Sequence, residues 1–404
     1  MNPLRNRSLL FALGITFLFG CHKDDDVTGP HTILTLQVDA GYTLDTEDNW
    51  IFATDDNGEV LDVKPYAGGE TVTLVSDKAG DKINVTFFVH HEAASKSSTF
   101  STYAHISSGT VLHFIKPKAA SHESLPGTAT FMISNFNYLL SSVEFSNGDS
   151  YGASTTITSS EMDSEVSYYG IPSDFLLSGY RAGVPVFNWA KGVKDGDVIK
   201  RDFQADFVAF PHQRKLDFEG TNSATLFGAT ANANFLVLNT YQLAGTAYAT
   251  DQPVIGYIDD FVSYDLIVTN TKANGSVMYL NNGAIDLSFT MPTFAFSLNN
   301  NSLQNLSFNL SEDYTYYYSG WAYTQDSENI RWNVTAPTGV TLKGLSIPQE
   351  IATKYSQIDV SKFKHSSINF TKIVEGASYP AGMPGVTTTS DDKTQKLYTY
   401  SPKL

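Results

Sequence analysis

Residues 50–61 read WIFATDDNGEVL and set a polar turn, Asp55 to Gly58, between two short runs of apolar side chains. Aspartate, asparagine and glycine tolerate the backbone angles of tight turns, and apolar runs of about four residues suit strands better than helices. The segment is therefore predicted to be a β-hairpin.

Similar short runs recur about every ten residues between His31 and Ile115, which is typical of a β-sandwich. They comprise Ile33, Thr35 to Val38, Val60 to Val63, Val72 to Val75, Ile83 to Val89 and Val111 to Phe114. The hairpin at Trp50 resembles the first hairpin of carboxypeptidase-regulatory and Ig-like modules of bacterial envelope proteins. This resemblance implies a β-sandwich fold for residues 31–115 and no activity.

The composition of the whole chain favours strands as well. Tyrosine and phenylalanine number 22 and 26, and only 17% of the 404 residues are charged. Aromatic residues fit a pleated, half-buried surface, and a length of 404 residues at ~150 per domain indicates two or three domains. We therefore expect an all-β protein of two or three consecutive β-sandwich (Ig-like) domains.

Residues 116–127 hold two prolines, a glycine and small side chains, and are predicted to be an exposed linker. Two further β-rich regions follow, 127–270 and 271–404, which are separate domains or share one sheet. Their strands include Ala129 to Ile133, Phe235 to Leu238, Phe261 to Val268, Val277 to Leu280, Ile285 to Phe289, Phe294 to Leu298, Leu303 to Leu310 and Asn329 to Val334. Lys194-Asp-Gly-Asp197 predicts a hairpin turn, and Pro348 to Tyr355 is the best helix candidate.

The first 20 residues are typical of a secretory signal. Arg5 and Arg7 precede an apolar run too short to span a bilayer, and Leu18-Phe-Gly-Cys21 follows. These four residues resemble the lipobox of bacterial lipoproteins, in which the cysteine is lipidated after cleavage. Cys21 is the single cysteine of the chain, so lipidation would also leave no free thiol.

The five residues after Cys21, His22-Lys-Asp-Asp-Asp26, are similar to the export tag of surface lipoproteins in Bacteroidota-type bacteria. The resemblance implies a lipid-anchored outer-membrane protein displayed on the cell surface, with residues 21–30 as a tether. A plain solvated spacer is the alternative.

The formal net charge of −16 limits the classes of partner that the chain can bind. A chain this acidic repels phosphate backbones and anionic lipid headgroups, so we expect no nucleic-acid partner and contact with the membrane through the lipid alone.

A tyrosine-rich segment from Tyr314 to Tyr323 is the strongest candidate binding site. In a strand, Tyr314, Tyr316 and Tyr318 would share one face, with Trp321 as an end wall. Exposed rings stack on sugars while hydroxyls and nearby amides, such as those of 299–301, bond sugar hydroxyls. The alternative is a core strand rich in tyrosine.

Histidines and acidic residues are the candidate metal ligands of the chain. His90 and His91 would face opposite ways. His105 and His113 lie on the two sides of a predicted hairpin turn at Ser108-Gly109, and they share a face if the loop has three residues but not if it has two. We expect solvated histidines, no metal site and no cofactor. The carboxylate oxygens around the first hairpin could hold an opportunistic Ca²⁺ ion. These acidic residues are Asp45, Glu47, Asp48, Asp55, Asp56 and Glu59.

No nucleophile elbow, zinc-protease motif, phosphate loop or dinucleotide motif occurs in the sequence, so no catalytic residue is predicted. The leading hypothesis is a surface protein that captures a glycan or nutrient. A structural or adhesive envelope scaffold is the alternative. A glycoside-active enzyme is the third, using carboxylate pairs such as Asp259-Asp260 or Asp163 with Glu165.

Overall fold

A computed structural model describes residues 29–92, 95–116, 126–136, 142–149, 160–244, 248–340, 342–380, 383–385 and 394–404. The signal, Cys21, the export tag and most of the linker lie outside these residues. Strands make up most of the described chain and helices very little, which confirms the all-β, sandwich-type prediction. Within the described ranges no helix is both long and apolar enough to cross a membrane.

The strands are numbered in chain order. The first seven are β1 (His31–Val38), β2 (Glu47–Thr54), β3 (Val60–Tyr66), β4 (Thr71–Ser76), β5 (Lys82–His91), β6 (Ser97–Ser107) and β7 (Thr110–Phe114). The next twelve are β8 (Pro126–Ser134), β9 (Val143–Ser146), β10 (Met162–Tyr169), β11 (Ser173–Arg181), β12 (Val184–Val193), β13 (Asp197–Asp202), β14 (Val208–Ala209), β15 (His212–Lys215), β16 (Thr221–Ala229), β17 (Asn234–Asn239), β18 (Val254–Tyr257) and β19 (Ser263–Lys272). The last seven are β20 (Gly275–Gly283), β21 (Phe296–Ser302), β22 (Asn305–Leu310), β23 (Tyr316–Gln325), β24 (Glu328–Pro337), β25 (Lys364–Glu375) and β26 (Gln395–Pro402).

One α-helix, α1 (Gln349–Lys354), lies within the predicted helical segment and confirms it. Pro348 precedes its first turn, where a missing N–H is not needed. Short 3-10 turns cover Thr240–Leu243 and Val360–Lys362.

A twelve-stranded sheet organises the molecule, in the order β17-β16-β19-β20-β26-β25-β23-β24-β6-β5-β2-β3. Its pairings are antiparallel except β6 with β24, which are parallel. The sheet therefore runs across both predicted boundaries: β6 precedes position 115 and bonds to a strand of the third region, and β19 bonds to β20 across position 270. The division into domains stays a prediction about folding units.

Side-chain alternation gives this large sheet two distinct faces. On the first face Phe88, Trp332 and Phe370 belong to one continuous core, which α1 and the β21–β22 hairpin help to cover. On the second face Phe87, the neighbour of Phe88, packs instead against the small sheet β4-β1-β7. Only part of the second face lies under this small sheet.

The described residues between 126 and 210 form a sandwich of their own. The sheet β10-β8-β13 packs on the sheet β14-β12-β11-β9 around Phe131, Phe145 and Phe175. Leu176, adjacent to Phe175 on β11, points the other way into the core over β16 and β19. The sandwich thus stacks as further layers on the first face of the large sheet.

Two predicted hairpins are wrong, because the strands on either side of the turn do not pair with each other. The Lys194–Asp197 turn exists, since Asp197 N–H donates to Lys194 O at 3.1 Å, but β12 and β13 lie in different sheets. Likewise β6 and β7 do not pair, because β7 runs parallel to β1. In both places the turn carries the chain from one layer to the next.

The predicted strand at Ile285 to Phe289 is also wrong. This segment is irregular, and the guanidinium of Arg214 takes the place of a neighbouring strand as hydrogen-bond donor. Arg214 Nη2 donates to Phe289 O at 2.8 Å and Nη1 donates to Leu287 O. The guanidinium also stacks over the Phe289 ring. Because these carbonyls are satisfied by a side chain, no ladder is needed there.

Candidate functional site

A pocket opens on the second face of the large sheet, beside the small sheet that covers part of it. Its volume is about 350 Å³, and four tyrosines from three separate parts of the chain line it. The lining residues are Tyr103, Tyr316, Tyr318, Thr335, Asn369, Thr371, Tyr379, Pro380, Met383 and Thr399.

Strand register brings the floor of this tyrosine pocket together. Across β25, β23, β24 and β6, Asn369, Tyr318, Thr335 and Tyr103 lie opposite one another in a single row. A second row, two residues along the strands, contains Tyr316 and its partners Thr371 and Pro337. Rows two residues apart are separated by about 6.6 Å, so rings from both rows border one cavity.

The wall of the pocket comes from the connection between β25 and β26. Tyr379 leans over the sheet, and its hydroxyl donates to Ala104 O at 2.6 Å on β6. Its ring centroid lies 5.9 Å from that of Tyr316. Met383 is buried in the core under the small sheet and fixes the far end of this wall. The wall is therefore anchored by both polar and apolar contacts.

Burial holds three of the four tyrosine hydroxyls of the pocket, those of Tyr103, Tyr318 and Tyr379, in the neutral form. Burial raises the pKa of Tyr103 to about 12, and burial also raises the pKa values of Tyr318 and Tyr379. Tyr318 Oη donates to Asn333 Oδ1 at 2.7 Å, which fixes its ring. Among the described residues that line the cavity none is charged, so it offers flat rings, hydroxyls and one amide to a neutral ligand.

The structure brings together two of the four predicted binding residues, Tyr316 and Tyr318. Tyr314 precedes β23, and its ring packs against Phe370 in the core of the first face. The strand alternation that would align Tyr314 with Tyr316 does not extend that far, so the predicted shared face is wrong for Tyr314.

Trp321 also lies on the first face, where it is 2% exposed. Trp321 lies four residues after the buried Tyr317 on β23, so the two side chains point to the same face of the sheet. Its Nε1 donates to Asn301 O at 2.9 Å. Trp321 therefore belongs to the core of the first face and does not wall the pocket. The 299–301 segment, expected beside the tyrosines, lies with Trp321.

Sequence reasoning missed Tyr103 and Tyr379. Tyr103 lies on β6, SSTFSTYAHIS, whose buried positions include Ser98 and Thr102, so no apolar alternation marks the two faces of this strand. Tyr379 lies in an irregular connection, where no periodicity points to a face.

His90 is buried, so the expectation of a solvated histidine is wrong there. Its Nδ1 lies 2.9 Å from Ser98 Oγ, and Ser98 Oγ donates to Glu328 Oε1 at 2.5 Å. Serine, histidine and carboxylate resemble a nucleophilic triad in type. However, Ser98 is fully buried and its hydroxyl is directed at Glu328, so the group ties β5, β6 and β24 together.

The other predicted metal or acid–base groups stay apart. His105 and His113 pair with different partners, Asp56 at 3.2 Å and Asp39 at 2.8 Å. Asp163 and Glu165 point outward side by side on β10, whereas Asp259 and Asp260 sit in an exposed turn. Asp259 contacts His212, and Asp260 accepts a hydrogen bond from Trp189.

The acidic residues of the first hairpin divide between the two ends of β2. Asp45, Glu47 and Asp48 lie near its start, and Asp55, Asp56 and Glu59 follow its end. Asp55 Oδ1 accepts hydrogen bonds from the backbone N–H groups of Asn57 and Glu59, as in an ordinary polar turn. In the part of the chain that the structure covers, no group of three acidic, histidine or cysteine side chains is placed to hold a metal ion.

Comparison with known proteins adds no family to this description. No protein-family model matches the chain, and a search of curated proteins returns no significant match.

Proposed function

We propose that the tyrosine pocket binds a neutral sugar and that the protein captures glycans. The observation that carries the proposal is the convergence of four tyrosines with threonine and asparagine side chains around an uncharged cavity. Sugar C–H faces stack on aromatic rings, and hydroxyl and amide groups bond the sugar hydroxyls.

Size and charge favour the same ligand class. A volume of about 350 Å³ is at the small end of the ~300–1,000 Å³ range of ligand pockets. The chain carries a formal charge of −16, which disfavours an anionic ligand in a cavity that supplies no cation. A neutral sugar unit satisfies both conditions.

We further propose that the protein acts as a lipid-anchored protein of the outer membrane, displayed on the cell surface. The lipobox-like residues ending at Cys21 and the tag His22 to Asp26 support this address. Replacing Cys21 with serine should move the protein from the membrane to the soluble fraction, and protease added to intact cells should digest the wild type. Sedimentation of Cys21→Ser with the membrane, or protection of the wild type in intact cells, would contradict the respective claim.

Binding is tested on the chain lacking residues 1–21, by calorimetric titration with maltohexaose, cellohexaose, mannohexaose and the hexamer of N-acetylglucosamine. At least one of these should bind, and Tyr316→Ala or Tyr318→Ala should weaken it about fivefold or more. One ring stacked on a sugar contributes about 1 kcal/mol, and 1.4 kcal/mol corresponds to a factor of ten.

Tyr241→Ala serves as the matched control, because Tyr241 is an exposed tyrosine far from the pocket in the fold. This variant should bind as the wild type does. Absence of binding to all four sugars, or equal binding by the Tyr316 and Tyr318 variants, would overturn the proposal.

A further inference from the structure

A second cavity of about 520 Å³ lies on the other side of Tyr379 and Pro380. These two residues line both cavities, so they form a ridge between them. The additional lining includes Lys82, His105, Ser107, Thr110, Val111 and Pro337.

The fold makes the two cavities neighbours. Pro337 lies opposite Tyr316 in the β23–β24 register, so the second cavity begins where a floor row of the tyrosine pocket ends. Tyr379 Oη donates to Ala104 O, and the next residue of β6, His105, lines the second cavity. The ridge is thus fixed to the same strand that supplies Tyr103 to the first cavity.

The second cavity offers a different but compatible set of groups. Lys82 Nζ donates to Ser107 Oγ at 2.9 Å at the cavity wall. Thr110 adds a hydroxyl, which donates to Ser107 O. Val111 is 58% exposed and, with Pro337, supplies apolar surface beside these donors. Donors beside apolar surface suit the edges and the face of a sugar ring.

We propose that the two cavities are consecutive subsites for one oligosaccharide chain, which crosses the Tyr379–Pro380 ridge. This inference rests on the proposed glycan binding and names its substrate class: an extended neutral chain and not a free monosaccharide. Each cavity alone reaches the ~300 Å³ expected of a ligand pocket, and linked units add their binding free energies.

The test is a chain-length series. Each hexasaccharide that binds is compared by titration with its own monosaccharide and disaccharide. We expect the hexasaccharide to bind at least tenfold more tightly than the monosaccharide. Val111→Arg places a longer, charged side chain at the wall of the second cavity, so this gain should disappear while monosaccharide affinity stays unchanged.

Val208→Arg is the matched control, because Val208 is a similarly exposed strand valine, 53% accessible, that lines neither cavity. It should keep the full chain-length gain. Equal affinity for monosaccharide and hexasaccharide, or an undiminished gain in Val111→Arg, would overturn the two-subsite inference and leave glycan binding intact. Absence of binding to any sugar would overturn both.

Discussion

Adjacent tyrosines of β23 give a direct test of which sheet face is core. Tyr317 is 2% exposed and packs edge-on against Phe308, with ring centroids 5.2 Å apart. Tyr318 lies half-buried in the pocket, and its main polar contact is the 2.7 Å hydrogen bond to Asn333. The two substitutions to alanine remove the same atoms from opposite faces.

Tyr317→Ala should lower the free energy of unfolding by about 4 kcal/mol, because deleting a fully buried aromatic ring costs ~3–5 kcal/mol. Tyr318→Ala removes a ring that is already partly hydrated, together with a hydrogen bond worth ~0.5–1.5 kcal/mol. We expect a loss of about 1–2 kcal/mol there. The expected gap between the two variants is therefore at least ~2 kcal/mol.

Urea unfolding of both variants, followed by circular dichroism, measures this gap as a shift of the midpoint at constant slope. Tyr317→Phe is the control, since it keeps the ring and should lose less than ~1.5 kcal/mol. Equal losses in Tyr317→Ala and Tyr318→Ala, or a larger loss in Tyr318→Ala, would refute the assignment of the two faces.

Three further predictions concern the rest of the fold. Glu328→Gln should destabilise the protein by about 2 kcal/mol in urea unfolding, because a glutamine whose oxygen accepts from Ser98 turns its amide N–H₂ toward the Gln357 N–H₂ that now donates to the second carboxylate oxygen. Glu92→Gln, on the exposed side of His90, should cost less than ~1 kcal/mol, and similar losses would contradict the assignment. Burial lowers the pKa of His365 below 6.5, so on acidification the unfolded chain binds a proton at a higher pH than the folded chain does, and the free energy of unfolding should fall as pH drops through about 6.5. His365→Gln should flatten the pH dependence of the urea midpoint, and an unchanged profile would contradict the role of His365. Gly58→Ala should lower the free energy of unfolding by about 3 kcal/mol or more, because the added Cβ would lie 1.9 Å from Gly344 O. Gly109 has a similar positive φ but open space around it, so Gly109→Ala should lower the free energy of unfolding by only ~1–2 kcal/mol in the same assay.

Strand positions were predictable from the sequence where apolar residues alternate or cluster. Runs such as Ile83 to Val89 lie within β5 as expected. The strand β6 gave no such signal, because its buried positions include Ser98 and Thr102. Thr102 is satisfied by a 2.8 Å hydrogen bond to Thr86 on the neighbouring strand, so this burial depends on polar pairing and not on hydrophobicity.

Strand partners were not predictable, for a different reason. Turn chemistry at Lys194–Asp197 and at 108–109 specifies that the chain reverses, but the reversal can lead into the same sheet or into the next layer. Packing of long-range partners decides between these outcomes. Strand alternation places the neighbours Tyr317 and Tyr318 on opposite faces, and the burial of Trp332 opposite Trp321 decides which face is core.

The tyrosine pocket depends on contacts between distant parts of the chain. Tyr103 belongs to the first predicted region, whereas Tyr316, Tyr318 and Tyr379 belong to the third. The parallel pairing of β6 with β24 brings Thr335 beside Tyr103 and joins the two sets. The candidate site is therefore complete only when β6 lies beside β24, because the third region supplies the wall and most of the floor, whereas Tyr103 and the Ala104 carbonyl that anchors Tyr379 come from the first region. This long-range origin explains why a local tyrosine cluster pointed to the right strand and yet to only half of the right residues.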